Sequence, residues 1–515
     1  MMNQKKLNAL AEFGEKSFLV GIEKEALRTD YNGFLSKEKH PECLGSTLTN
    51  KNITTDFSEA QIELVSDTYN SVEELVSNLN HLHNIVYSCL ENEYLWPYSM
   101  PSKLPKDSDI PIAQFGKSNI GIAKNVYRKG LVLRYGAKMQ MISGIHFNFS
   151  FSPLVINKLF DSNQVKYISK EYLNLIRNYK NFSWLITYLF GFSPICNKDF
   201  LNGRYHNLKE FSEECFYIPS GLSIRQGPLG YQSNLQNSIM IDHNSLKNYI
   251  KGMKKALTDN YPPYEKIGIL QNGQPIQLST SLLQIENEYY SSIRPKQPIR
   301  SGERPLVALK ERGIKYVEVR GIDINPFSPV GISKEQIYFL QVFLSWCFCR
   351  KSEKESSQGI INNNNNMNLV SQFGLDKNLK INNGVDLVSI DDISIRIFDD
   401  LIKVARILDK KNKQNFYATS VLNHLKKIQN KKKHESFILK QKIEKEFNGS
   451  AEKLFISLAS DYKNYFLKEL HIDSKLLKSY QNIARESLNE FEKSNISDEE
   501  FINFLKKYNS QITSL

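Results

Sequence analysis

Glu23 and Glu25 stand two residues apart in FLVGIEKEALR, Asp56 and Glu63 lie in ITTDFSEAQIELVS, Glu318 is central in YVEVR, and His146 alternates with apolar residues in ISGIHFNFSF. Acids crowded on the polar faces of short strands repel one another unless a cation sits between them. Carboxylate oxygens arriving from separate strands suit Mg²⁺ or Mn²⁺, which keep coordination positions open for phosphate oxygens. The chemistry this points to is ATP-dependent. Taken singly, an i, i+2 acid pair is most often a solvated strand face, and a lone histidine is most often hydrogen-bonded in place; convergence with cations raises the metal reading. Arg320 shares the face of Glu318, and Arg225, Arg294 and Arg300 fall in SIRQGPLGY and SIRPKQPIRSGE, segments suited to loops beside a pocket. Guanidinium forks there would hold phosphate or carboxylate, surface salt bridging being the competing reading. The chain has no GxxxxGK[ST] loop and no GxGxxG after a strand, so a nucleotide must be held in another way.

These side chains need strands to carry them. Alternation is clearest at 139–152, where Ile145, Phe147, Phe149 and Phe151 point one way and Gly144, His146, Asn148 and Ser150 the other. Residues 18–28, 53–66, 283–290 and 315–323 read as further strands, with Gln284, Glu286 and Glu288 on one face of the third. Helical spacing marks 2–13, 71–93, 162–191, 243–258 and 333–351, with capping signatures at Ser71/Glu74 and Ser333/Gln336. Strands and helices mix without regular βαβ alternation, which predicts an α+β fold with an antiparallel sheet. The pattern lapses at 352–390, where Asn362 to Asn366 read as a flexible surface insertion. Helical periodicity resumes at 392–410, 416–429, 434–447, 450–469, 473–492 and 497–508. The expected organisation is a catalytic α+β domain over 1–351, a variable asparagine-rich insertion over 352–390, and a helical region over 391–515 packed on the catalytic domain.

Composition narrows the class. With 515 residues, 41% hydrophobic and 24% charged, the chain can bury a core for two or three domains, and disorder is excluded as its main state. No apolar run approaches the roughly 18 residues needed to cross a bilayer, and MMNQKKLNALAEFGEK carries no readable secretory signal. A cytoplasmic location is expected. Six scattered cysteines without CxxC spacing form neither a disulfide scaffold nor a zinc site, which suits a reducing compartment. The net charge of +12 first suggests a polyanion partner, but residues 401–515, with 22 Lys+Arg against 14 Asp+Glu, hold eight of those charges. Biased base composition of the encoding genome is the blander account of such lysine-rich helices.

The blocks GIEKEALR (21–28), ITTDFSEAQIEL (53–64), LWPYSMP (95–101), YRKGLVLRYGAKMQMISGIHFNFS (127–150), RNYKNFSWLITYLFGFSP (177–194), LQIENEYYSSIRPK (283–296) and YVEVRGIDINPFSP (316–329) closely resemble the proteobacterial type of glutamate-cysteine ligase, in collinear order over roughly residues 15–350. The resemblance implies a glutamine synthetase-like catalytic fold: an antiparallel sheet curved into a funnel, with helices outside. It implies ATP-dependent joining of the γ-carboxylate of L-glutamate to the amine of L-cysteine through γ-glutamyl phosphate, the first step of glutathione biosynthesis. By motif, Glu23, Glu25, Asp56, Glu63, His146 and Glu318 resemble Mg²⁺ ligands, and Arg320 lies against phosphate oxygens as a catalytic residue with Glu318. Phe57, Tyr127, Leu131, Gln140, Arg225, Tyr231 and Tyr290 match positions around the cysteine and glutamate pockets. Gly227-Pro228 departs from the family's pattern beside Arg225 and Tyr231, and past residue 352 the resemblance fades. The resemblance further implies a monomer needing neither membrane nor nucleic acid. Two alternatives stay open: a γ-glutamyl ligase of the same architecture with another amine acceptor, and a polyanion-binding protein using the basic C-terminal helices.

Overall fold

A computed structural model describes residues 2–515 except 161–163, 202, 231–233, 238, 412–413 and 496–498. Seven strands build the main sheet: β1 (Phe18–Thr29), β2 (Ile53–Thr55), β3 (Gln61–Val65), β4 (Tyr94–Leu95), β5 (Ile145–Phe151), β6 (Ile293–Lys296) and β7 (Tyr316–Ile322). Their order is β6-β7-β5-β1-β3-β2, with β4 paired to the end of β1, and every pairing is antiparallel. The expected α+β class with an antiparallel sheet is what the chain adopts.

One face of the sheet is core. Ile145, Phe147 and Phe149 of β5 and Val317 and Val319 of β7 are wholly buried, and they share a hydrophobic cluster with two helices, Val165–Phe190 and Lys334–Cys349. The second of these is apolar almost all round, with every residue from Gln336 to Cys349 buried, as a central helix must be. Its capping box at Ser333 and Gln336 and the cap at Ser71 form as the sequence indicates. Among the described residues no helix is long and apolar enough to cross a membrane.

Two expectations need correction, and one helix goes unread in the sequence. The asparagine run is not irregular: Ser357–Phe373 is a helix capped by Ser356, and Asn366 is buried, its amide exchanging hydrogen bonds with the backbone of Asn382 at 2.7 and 2.9 Å. Packing against Val165–Phe190 overrides the poor helix propensity of asparagine. Residues 283–290 form no strand but a 3₁₀ turn, Glu286–Glu288. The alternation there comes from buried anchors, Glu286 pairing with Arg304 at 2.8 Å and Glu288 with Arg134 at 2.9 Å. The periodicity does not announce the helix Asn119–Tyr135, whose capping Ser118 accepts from the Gly121 amide. The cysteines form no scaffold among the described residues: Cys43 and Cys89 are paired, and Cys196, Cys215, Cys347 and Cys349 are buried thiols.

Candidate active site

Strand register assembles the site on the sheet's second face. Directly opposed residues of an antiparallel pair project to the same side, and β1 sets Glu23 against His146 of β5 and Glu25 against Glu63 of β3. Glu318 of β7 stands opposite Asn148 of β5 on one side and Arg294 of β6 on the other. Ligand atoms of Glu23, Glu63 and His146 consequently lie within 4.8 Å of one another. Glu23 takes hydrogen bonds from His146 Nδ1 at 3.0 Å and Asn148 Nδ2 at 2.8 Å. Glu25 accepts from the Gly144 amide at 2.7 Å and stands 3.6 Å from His146 Nε2. Asp56 follows β2 directly and faces the same cavity.

Cations fill the other half of the face. Glu318 is buried with Lys296 at 3.2 Å, Arg320 at 3.7 Å and Arg294 at 3.8 Å. Burial opposes its charge, but Lys296 first and Arg320 next hold its carboxyl well below the usual range. At Glu63 burial and the neighbouring acids Glu23, Asp56 and Glu25 act together and push the carboxyl well up. Burial likewise raises Glu25, to about 7. Glu23 moves the other way, because the His146 hydrogen bond and nearby charges outweigh its burial.

This donor set fits a divalent cation. Two buried oxygens on the neighbouring strands, Glu318 Oε2 and Asn148 Oδ1, have no hydrogen-bond partner among the described residues, and the crowded acids at Glu63 and Glu25 want positive charge. A pH dependence follows. The native metal-free protein keeps protons on Glu25 and Glu63 that the unfolded chain releases near pH 4.5, so these two acids contribute stability that is lost as pH rises through roughly 4.5 to 7, while buried neutral histidines such as His83, His424 and His434 contribute in the opposite sense. Saturating Mg²⁺ should restore more melting temperature at pH 8 than at pH 6. Melting curves in EDTA and in Mg²⁺ check this, and equal restoration by Mg²⁺ at the two pH values contradicts it.

Two chambers meet at Glu25, His146, Tyr290 and Arg320. The first holds Glu23, Asp56, Glu63, Glu318, Arg294 and Lys296, and its walls include Phe57, Tyr127, Leu131 and Gln140, whose amide donates to the Tyr290 hydroxyl at 3.4 Å. The second holds Arg225, which reaches the Arg320 carbonyl at 2.9 Å and Asp323 at 3.3 Å, beside Gln226, Ser291 and Asn363. Of the residues singled out in the sequence, Arg300 is exposed and lines neither chamber, and Tyr231 lies outside the described residues. Sequence reasoning missed Lys296 and Lys124. Arg294 and Lys296 are two apart on one strand, a cationic mirror of Glu23 and Glu25 that was there to be read. Lys124 belongs to the unannounced helix; it lines the first chamber, and burial lowers its ammonium to about 8.

An antiparallel sheet presenting an acid cluster and a row of cations between two chambers fits the ATP-dependent carboxylate-amine ligase that the sequence motifs lead one to expect. The chain belongs to the glutamate-cysteine ligase family, whose model matches residues 4–370. It is 42% identical over 418 residues to the glutamate-cysteine ligase of Pseudomonas entomophila, covering 80% of this chain and 79% of that protein. It is 39% identical over 505 residues to that of Pseudomonas paraeruginosa, covering 96% and 95%. The crystal structure of the Francisella tularensis glutamate-cysteine ligase in complex with AMP superposes with a TM-score of 0.92 at 32% identity, covering 98% of this chain and 99% of that one. The chain is thus an enzyme joining glutamate to cysteine at the expense of ATP, for glutathione synthesis.

Proposed function

We propose that the reaction runs through γ-glutamyl phosphate at the junction of the two chambers. The observation that carries this is the register-imposed placement of Glu23, Glu63 and His146 beside Lys296, Arg294 and Arg320. Glu23, Glu25, Asp56, Glu63, His146 and Glu318 would hold Mg²⁺, with Mn²⁺ an acceptable substitute, and bound metal would neutralise ATP phosphate oxygens. Arg320 and Lys296 hold phosphate oxygens of ATP while the glutamate γ-carboxylate attacks the γ-phosphorus. ADP leaves as the acyl phosphate forms; the amine of cysteine then attacks the acyl carbon, giving up a proton as the amide forms, and inorganic phosphate leaves. Arg225 supplies a guanidinium for the substrate carboxylate, and Phe57, Tyr127, Leu131, Gln140 and Tyr290 enclose the amino-acid substrates. On this reading the enzyme acts as a monomer in the cytoplasm. Two of the C-terminal lysines already have partners within the chain, Lys427 pairing with Glu435 at 2.5 Å and Lys431 lying 3.4 Å from Asp391.

The test is ADP release with glutamate and ATP while cysteine, 2-aminobutyrate, glycine and simple amines are scanned as acceptors. A thiol and a methyl have similar volume, and an aromatic-walled slot separates them by only about 1 to 3 kcal/mol, so 2-aminobutyrate should work within about 100-fold of cysteine in kcat/KM. Glycine should be much poorer. Tyr290→Ala should raise KM for cysteine more than for ATP. Glycine outcompeting both would assign the acceptor pocket to another amine.

A further inference from the structure

Arg225 has neither helix nor strand to aim it. It lies in a run of turns, SIRQGPLG (223–230), so the direction of its guanidinium depends on tethers. Two of them come from the end of β7. Between Val319 and Ile322 that strand takes three residue steps where β5 takes two, from Phe147 to Ile145, and such a bulge redirects the chain that follows it. The Arg320 carbonyl inside the bulge accepts Arg225 Nη2 at 2.9 Å. Asp323, just past the strand, accepts Nη1 at 3.3 Å. The strand that bears Glu318 and Arg320 therefore ends in a residue that holds Arg225 as well.

Asp323 is wholly buried and lines neither chamber, whereas Arg225 lines the second. Four donors converge on its two oxygens. Oδ1 takes Arg225 and, at 3.1 Å, Gln226 Nε2; Oδ2 takes the Phe192 amide at 2.9 Å and the Ser193 hydroxyl at 2.6 Å. An asparagine there would offer one oxygen and turn its NH₂ against donors whichever way it faced. Gln226 is itself fixed, its Oε1 accepting from the Thr187 hydroxyl at 2.6 Å and its amide donating to Ser223 Oγ at 3.0 Å. On the far side, the amides of Leu222 and Ser223 donate to the Ser371 carbonyl in the last turn of the asparagine helix, at 2.8 and 3.2 Å. The loop backbone is thus braced by that helix and its arginine by Asp323. We propose that Asp323 is a positioning residue that aims the Arg225 guanidinium at the substrate carboxylate. Desolvation offsets much of the attraction in a buried ion pair, so its net worth in stability is small; its worth here is direction. The proposal rests on the reading that Arg225 holds that carboxylate.

The experiment measures kcat, KM for glutamate, cysteine and ATP, and melting temperature in the wild type, Asp323→Asn, Arg225→Lys, the double variant and Ser193→Ala. A hydrogen bond to a charged group is commonly worth about 10- to 100-fold. Asp323→Asn is expected to raise KM for glutamate by that factor while KM for ATP stays within about twofold. Added to Arg225→Lys it should change KM for glutamate by less than about twofold, because both act through one guanidinium. Ser193→Ala, which removes a donor from the other carboxylate oxygen, should lower the melting temperature and leave KM for glutamate within about twofold. A lower melting temperature with unchanged KM in Asp323→Asn, an equal rise for ATP, or full additivity with Arg225→Lys overturns the positioning role. If Asp323→Asn does not melt cooperatively, Asp323→Ser is measured in its place, and loss of folding in both also overturns it. If Arg225→Lys raises KM for glutamate and Asp323→Asn does not, only this inference fails; if Arg225→Lys moves KM for neither amino acid, the carboxylate reading fails with it.

Discussion

Replacing Glu318 by glutamine is expected to lower turnover at least ~1,000-fold while the protein still folds. The change is nearly isosteric, so what it removes is charge from a group that Lys296, Arg320 and Arg294 surround at 3.2 to 3.8 Å and that faces the acid cluster across β5. Losing one group aimed at developing charge commonly costs ~100- to 1,000-fold in rate, and loss of a metal-holding acid adds to that. Glu23→Gln should be comparably inactive, because Glu23 belongs to the three-residue cluster with Glu63 and His146. The two variants should differ in stability. Without Glu318 three cations lose a buried counter-charge, a change that costs up to about 3 to 5 kcal/mol when water is fully excluded and less beside an open chamber. Without the Glu23 charge, the Asn148 contact survives through the amide oxygen and repulsion of Glu63 is relieved, so the metal-free melting temperature should move little. Steady-state rates at saturating Mg²⁺ and melting curves check both claims. Normal turnover in both variants would remove the metal assignment, since a solvated strand face predicts no effect on rate and under about 0.5 kcal/mol on stability.

What could be read from the chain alone follows from periodicity. A strand with one buried face shows its alternation directly, so β5 and β7 and the facing of His146, Glu318 and Arg320 were legible. Which strand lies beside which is not written in period 2. Only the register that sets Glu23 against His146 and Glu25 against Glu63 makes a cluster of three dispersed segments. Errors arose where side chains answer to a site or an ion pair rather than to a core. The helix Asn119–Tyr135 turns Ile120, Lys124, Tyr127 and Leu131 toward the first chamber, so its lining face is chosen for ligand and mixes charge with apolar groups. Glu286 and Glu288 imitate a polar strand face because each is buried against its own arginine. The asparagine helix carries its fit in tertiary partners, Asn382 for Asn366 and Asn181 for Asn363, that no local window contains.

Gly144→Ala is expected to lower kcat/KM for glutamate about 100-fold while ADP binding stays within about twofold. Gly144 precedes β5 and exchanges backbone contacts with Glu25, its amide donating to the carboxylate at 2.7 Å and its carbonyl accepting the Glu25 amide at 3.1 Å. A Cβ at this position would stand 2.1 Å from Arg225 Nη2 and 2.6 Å from its Cζ. The glycine is therefore required by the guanidinium lying across it. Arg225 cannot yield freely, because Nη2 is held by the Arg320 carbonyl at 2.9 Å and Nη1 by Asp323 at 3.3 Å, and Asp323 is itself wholly buried and bonded to Ser193 and Gln226. Overpacking of this kind costs about 1 to 3 kcal/mol, and much of it should appear as displacement of the guanidinium rather than as unfolding. A double variant separates the two routes. Arg225→Lys removes the planar fork and should lose glutamate affinity on its own; if Gly144→Ala acts through Arg225, adding it to Arg225→Lys costs almost nothing further, whereas an independent backbone defect would add its full effect. Full additivity in kcat/KM for glutamate, or loss of ADP binding in Gly144→Ala, would show that the glycine serves the sheet and not the arginine.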